Sequence, residues 1–243
     1  MIPAYPGIFI YIPLTLSMIL KTERLEVLKN NNNIAVIISE LQKVMYNDID
    51  DFETESDRYN YLNSFDAIGL ISQPVEQFYS IISFDHSDIK TFTKELTVKI
   101  NILLSLMNSN ELFIISHLKF NIFGTLKNNY PPLKDALQKT KRLLGTLNYD
   151  ETLKISLEDL PLLVETFFWI ERCKPSAPEY IYFADVNGSF AFHLCKYGNI
   201  HFIEFENAVI NDDVLSDFKM YFTDGCKEQF LNKPGIEGRV LSF

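Results

Sequence analysis

Positive charge is in short supply in this chain. Its 22 lysines and arginines face 32 aspartates and glutamates, giving a net charge of −10 and a pI of about 4.9. A nucleic-acid binder needs cations to displace phosphate counterions, so this balance argues against one. It suits a protein that draws a basic partner toward itself. Cysteine is scarce as well: Cys173, Cys195 and Cys226 are odd in number, widely spaced and without a CxxC pair. They suggest no disulfide framework and favour a reducing cytoplasm. No two cysteines or histidines have finger-like spacing, so no zinc site or cofactor is expected. The chain also lacks an internal repeat, a long low-complexity linker, a nucleophile elbow and a phosphate-binding loop.

The opening "MIPAYPGIFIYIPLTLSMIL" runs to Leu20 without a charge. Lys21 and Arg24 follow this run, where a secretory leader would place its cations first. Pro6 and Pro13 interrupt it well short of the ~20 apolar residues that span a bilayer. A membrane segment is therefore not expected. The alternation in "GIFIYIPLTL" reads as a strand, which Pro13 confines to a sheet edge.

From residue 15 to about 172 the periodicity is mainly helical. "NNIAVIISELQKVM" puts Ile34, Ile37, Ile38 and Leu41 on one face, with Asn33 in place to cap it. In "SDIKTFTKELTVKINILLSLMN" the residues Ile89, Phe92, Leu96, Ile100 and Leu103 form one stripe behind a Ser87 cap. "NSNELFIISHLKFNIFG" is apolar on most faces and reads as a central buried helix closed by Gly124. "PPLKDALQKTKRLLG" begins with prolines and ends at Gly145, as a helix should. "LEDLPLLVETFFWIERCKP" follows, capped at Asp159 and stopped by Pro175.

Beyond it, "EYIYFADVNGSFAFHLCKYGNIHFIEFE" (residues 179–206) switches to period two. Asn187-Gly188 and Gly198-Asn199 read as two-residue hairpin turns. Those turns set Phe183 opposite Phe192, Leu194 opposite Ile203 and Phe192 opposite Phe205. One face then gathers Ile181, Phe183, Phe190, Phe192, Leu194, Ile203 and Phe205, to be packed on the helix carrying Phe167, Phe168 and Trp169. The other face carries Tyr182, His193 and Glu204 in one row. A carboxylate, an imidazole and a phenol side by side could do acid–base chemistry, although polar cross-strand rows more often have a structural role. Cys195 falls on the His193 face with no base across from it. "NDDVLSDFKMYFTDG" reads as a helix capped by Asn211 or Asp212, and "GIEGRVLSF" as a last strand. The expected fold is α+β. Residues 1–150 form a mainly helical region with an N-terminal edge strand, and residues 151–243 form an α+β region whose three-strand antiparallel meander packs on helices. The two could also be one continuous domain.

Charge is densest in "NDIDDFETESDRYNY", with Asp48, Asp50, Asp51, Glu53, Glu55 and Asp57. An EF-hand loop fails there, because Phe52, Glu53 and Tyr59 fall at the fifth, sixth and twelfth positions. The segment reads as a solvated acidic loop or as a docking patch, with Tyr59 and Tyr61 as aromatic anchors. His86 and His117 have no partner at ligand spacing, and His117, inside an apolar run, reads as a satisfied core histidine. Lys134, Lys139, Lys141 and Arg142 form a basic strip of the kind that usually stays solvated.

The helix and meander "LPLLVETFFWIERC…YIYFADVNGSFAFHLCKYGNIHFIEFE", with the acidic segments around Asp48–Asp57 and Asp212–Asp217, resembles the immunity proteins of bacterial polymorphic toxin systems. The resemblance covers less than half the chain and is one of general character. It implies a non-enzymatic protein that binds a cognate toxin domain, basic where it docks, and blocks its active site. It carries over no residue-level role; the acidic segment, its aromatic neighbours and the polar row supply the candidate binding residues, Asp48, Asp50, Asp51, Glu53, Glu55, Asp57, Tyr59, Tyr61, Tyr182, His193 and Glu204. The alternatives are a small hydrolase or transferase using the Tyr182–His193–Glu204 row, or a non-catalytic scaffold or regulatory module.

Overall fold

A computed structural model of the chain describes residues 19–47, 49, 54–70, 74–86, 88–125, 127 and 129–226. The expected N-terminal edge strand (7–16), the Ser87 cap and the last strand (235–243) lie outside them. The strands are β1 (Leu20–Thr22), β2 (Gln77–Ser83), β3 (Glu111–Ser116), β4 (Thr152–Ser156), β5 (Ile181–Asp185), β6 (Phe190–Leu194), β7 (Ile200–Phe205) and β8 (Tyr221–Phe222). The helices are α1 (Arg24–Asn30), α2 (Asn32–Asn47), α3 (Glu55–Leu62), α4 (Ile89–Leu106), α5 (Pro131–Leu144), α6 (Leu160–Cys173) and α7 (Asp212–Asp217).

Among the described residues the strands form one antiparallel eight-stranded sheet in the order β1-β4-β3-β5-β6-β7-β2-β8. This overturns the expected fold. The meander is the middle of a larger sheet that takes strands from both sides of residue 150. The error came from the run over 108–124. Its apolar character on all faces is that of a strand buried on both sides, which periodicity alone does not distinguish from a buried helix. Leu112, Ile114 and Ile115 are fully buried in β3, and the chain then leaves through a loop.

Both faces of the sheet are covered. Helices α4 and α6 pack on one side, together with α5, which lies along α6. The stripe Ile89, Phe92, Leu96, Ile100 and Leu103 is buried there as read from the sequence. Phe167 of α6 meets Phe183 edge-on at 5.7 Å. Helices α1 and α2 cover the other side, where Val27, Leu28, Ile34 and Ile38 meet Ile115, Ala184, Ala191, Ile203 and Phe205. The cap of α2 is Asn31, whose Oδ1 accepts from the Ile34 amide at 3.1 Å, two residues earlier than Asn33. Gly145 in the left-handed region closes α5, and the Asn211 side chain caps α7. Among the described residues no helix is long and apolar enough to cross a membrane.

A buried cation fastens the α1–α2 layer to the sheet. The Arg24 guanidinium is fully buried and meets Asp66 at 2.7 Å, while donating to the Ser116 carbonyl at 2.5 Å. Gln42 of α2 joins the same knot, donating to Asp66 at 3.1 Å and to the His117 carbonyl at 2.8 Å. Removing one partner of a buried ion pair leaves the other charge without compensation. Arg24→Met should therefore cost about 3–5 kcal/mol in chemical denaturation, and adding Asp66→Leu should recover part of it.

Candidate functional site

The β5–β6 register is the one read from the sequence, with Tyr182 opposite His193 and Phe183 opposite Phe192. Its turn is of another kind. Gly188 alone of Asn187 and Gly188 has positive φ, and its amide closes an i to i+3 bond to the Asp185 carbonyl at 2.9 Å. The Asp185 carboxylate secures the loop by accepting from the Asn187 and Ser189 amides.

The second hairpin departs from expectation. Its loop has three residues, Lys196 to Gly198, between a paired Cys195 and Asn199. Gly198 sits at φ 88°, the left-handed position that ends a three-residue hairpin loop. The pairing slides by three residues, to Phe192 opposite Phe202 and His193 opposite His201. An odd slide exchanges the faces of β7. Ile200 and Phe202 replace Ile203 and Phe205 on the α6 side, and Glu204 moves away from His193. The Tyr182–His193–Glu204 row therefore does not form. Glu204 is buried on the opposite face, where its Oε1 accepts from the Val209 amide at 2.5 Å and the Ile210 amide at 3.1 Å. Burial raises its carboxyl and those two bonds oppose the rise. Its role is to tie down the connection after β7.

In place of that row the slide builds a cluster of phenols, imidazoles and thiols. His193 and His201 stack at 4.4 Å with 21° between their planes. Tyr180 and Tyr182 meet His193 edge-on at 5.2 and 5.3 Å. Strand β2, beside β7, brings the Tyr79 hydroxyl onto His201 Nδ1. After β8 the chain returns along β2, through the Thr223 amide on the Ile81 carbonyl, and delivers Cys226 Sγ to 3.2 Å from His201 Nε2. Cys195, at the end of β6, completes the group. Its Sγ, Cys226 Sγ and a ring nitrogen of His201 lie within 4.8 Å of one another, the one such ligand-like set among the described residues. Tyr180, His193 and His201 separate two openings. One, of about 380 Å³, reaches Cys195, Cys226 and Glu179; the other, of about 370 Å³, runs under Glu40 and Val44 of α2.

Burial governs the protonation of these groups. It pushes His193 down to about 3, with neighbouring His201 adding to the effect. Burial also lowers His201 and raises Tyr182. Desolvation carries the Tyr79 hydroxyl up to about 12, helped by Cys226. The Cys195 thiol rises to about 12, first through burial and then through Cys226 beside it.

The acidic candidates fall elsewhere. Asp48, Asp50, Asp51 and Glu53 lie outside the described residues. Glu55 and Asp57 stand exposed in the first turn of α3, where Thr54 accepts from the Asp57 amide and donates to its carboxylate. Tyr59 is exposed. Tyr61 is not a free anchor: it packs edge-on against Phe120 at 5.3 Å and holds α3 to the body. His117 follows β3 rather than lying in a helix, and its Nδ1 lies 3.2 Å from the Tyr180 carbonyl.

Sequence spacing missed His201, Cys226, Tyr79 and Tyr180. Intervals of 6 and 25 residues resemble no metal motif, and the cluster forms only when β7 pairs as it does and β8 folds back. The three-residue loop ending in Gly198 was the one local signal for it. Comparison with family models, with curated proteins and with solved structures finds no match to this chain.

Thiol access should follow the geometry. In the native, reduced protein with a chelator present, iodoacetamide should alkylate exposed Cys226 first, half-buried Cys195 more slowly and buried Cys173 last. Peptide mass spectrometry over time reads the order, and equal rates at all three would contradict it.

Proposed function

We propose that this chain is an immunity-type protein that neutralises a bacterial toxin in the cytoplasm by direct binding, without catalysis of its own. The observation that carries this reading is apolar surface that the fold leaves uncovered beside acidic groups. Val44 and Tyr46 on α2 are 62% and 49% exposed, and Tyr59 on α3 is 67% exposed. Phe65 touches both Tyr46 and Tyr61, so the ends of the two helices share one surface. Glu40, Glu55 and Asp57 are exposed along the same helices. Exposed aromatics with a charged surround suit a protein interface.

Charge selects the partner. A net charge of −10 favours a toxin domain that is basic where it docks and disfavours nucleic acid. The hydrolase or transferase alternative loses its support, because its carboxylate, Glu204, is on the other face of the sheet.

Co-expression with a cognate toxin domain, followed by kinetics of the purified pair at two salt concentrations, tests the reading. Exposed charges are screened beyond ~8 Å at physiological ionic strength, so association should slow as salt is added. Neutralising Asp48, Asp50, Asp51, Glu53, Glu55 and Asp57 together should slow association more than it speeds dissociation. Tyr59→Ala should instead raise the off-rate. Tyr61→Ala should loosen α3 and lower stability. Absence of a complex, or association indifferent to both salt and the acidic substitutions, would overturn the proposal.

A further inference from the structure

We propose that Cys195, His201 and Cys226 form a binding site for a zinc-class divalent cation, with a fourth position open to the neighbouring cleft. The two arms of one hairpin and a more distant return converge on one point: the end of β6, the second residue of β7 and the chain after β8. The spacing fits an ion. With Zn–S near 2.3 Å and Zn–N near 2.0 Å, a tetrahedral shell sets sulfur and nitrogen about 3.5 Å apart and two sulfurs about 3.8 Å apart. Cys226 Sγ and His201 Nε2 are 3.2 Å apart, and all three ligand atoms fall within 4.8 Å. Shifts of a few tenths of an ångström to about one would complete the shell.

The surroundings are those of a metal-ligating histidine. Such a histidine donates its second ring N–H to a fixed partner, which sets the tautomer and aims the free lone pair at the ion. Tyr79 takes that place at His201 Nδ1, leaving Nε2 directed at Cys226. A second observation is independent of the three ligands. His193 is 7% exposed, lies against His201 and lines the same cleft, yet its Nδ1 has no hydrogen-bond partner. A buried ring nitrogen left unpaired is costly, and a water held by the cation at its fourth position would supply the missing bond. A disulfide between Cys195 and Cys226 would account for the sulfurs but for neither imidazole. Two thiolates and one imidazole favour zinc or another borderline-soft ion over magnesium or calcium.

Cobalt(II) is the probe. Reduced full-length protein stripped with a chelator should take up one equivalent of Co²⁺, give thiolate-to-cobalt charge-transfer bands, and release the cobalt to one equivalent of Zn²⁺. Cys195→Ser and Cys226→Ser should each lose the bands, whereas Cys173→Ser should keep them. Tyr79→Phe should retain a site but bind about 10–100-fold more weakly. Cys226 is exposed, so its serine variant is expected to fold, and circular dichroism verifies this. No charge-transfer band at stoichiometric cobalt would overturn the site, as would bands that persist in Cys195→Ser or Cys226→Ser. A Cys195–Cys226 disulfide in the purified protein, with no band after reduction, would replace it with a redox pair.

Discussion

The pairing of Phe192 with Phe202 across β6 and β7 settles which side chains meet at the centre of this protein. These strands lie in the middle of an eight-stranded sheet with helices on both faces, so every residue of β5, β6 and β7 is buried. In such a sheet the register assigns each side chain to one of two cores. The α6 side receives the stacked rings of Phe183, Phe192, Phe190 and Phe202. The α2 side receives smaller residues, Ala184, Ala191 and Ile203, and beyond them the histidines and tyrosines. A slip of one residue would exchange these sets along the strand. The aromatic ladder and the polar cluster are thus two consequences of the same hydrogen-bond register.

The polar side chains caught between the layers are accommodated in different ways. Arg24 and Asp66 pair with each other, and the Ser116 carbonyl and Gln42 complete their hydrogen bonds. His193 gives up its charge and rests among aromatic edges. Glu204 takes two backbone amides. Arg24 and Glu204 have a structural part fully accounted for by their partners. The cluster around His201 differs, because its donors and acceptors converge on a point shared with two thiols and beside an open cleft.

Much of this arrangement could be read from sequence where one face of an element is buried. The 3.6-residue stripe of α4, the proline start and glycine stop of α5, and the α6 helix all appear in the structure. So does the first hairpin register, because Phe183 and Phe192 give the correct pairing even though the turn is not of the Asn-Gly kind. Reading failed where burial is two-sided. Residues 108–124 lost their alternation because β3 is covered above and below, and so passed for a helix. In the second hairpin both faces of β7 are apolar, so either register yields a plausible core and the pattern could not choose. The choice rested on whether Gly198 begins a two-residue turn or ends a three-residue one. Its φ of 88° at the third position decided it, and the candidate Tyr–His–Glu row dissolved with that one assignment.

The register is therefore the quantity to measure. The bonds at Cys195–Asn199 and Ser189–Phe205 make alternate pairs hydrogen-bonded, which leaves Phe192 and Phe202 a close, non-hydrogen-bonded pair. Their Cα atoms should lie about 4.5 Å apart, with the α-protons facing each other. A nuclear Overhauser experiment on the labelled protein should show strong α-proton contacts between Phe192 and Phe202 and between Leu194 and Ile200. A contact between Phe192 and Phe205 in their place would contradict the account, because it would return Glu204 to His193 and take His201 away from the two thiols.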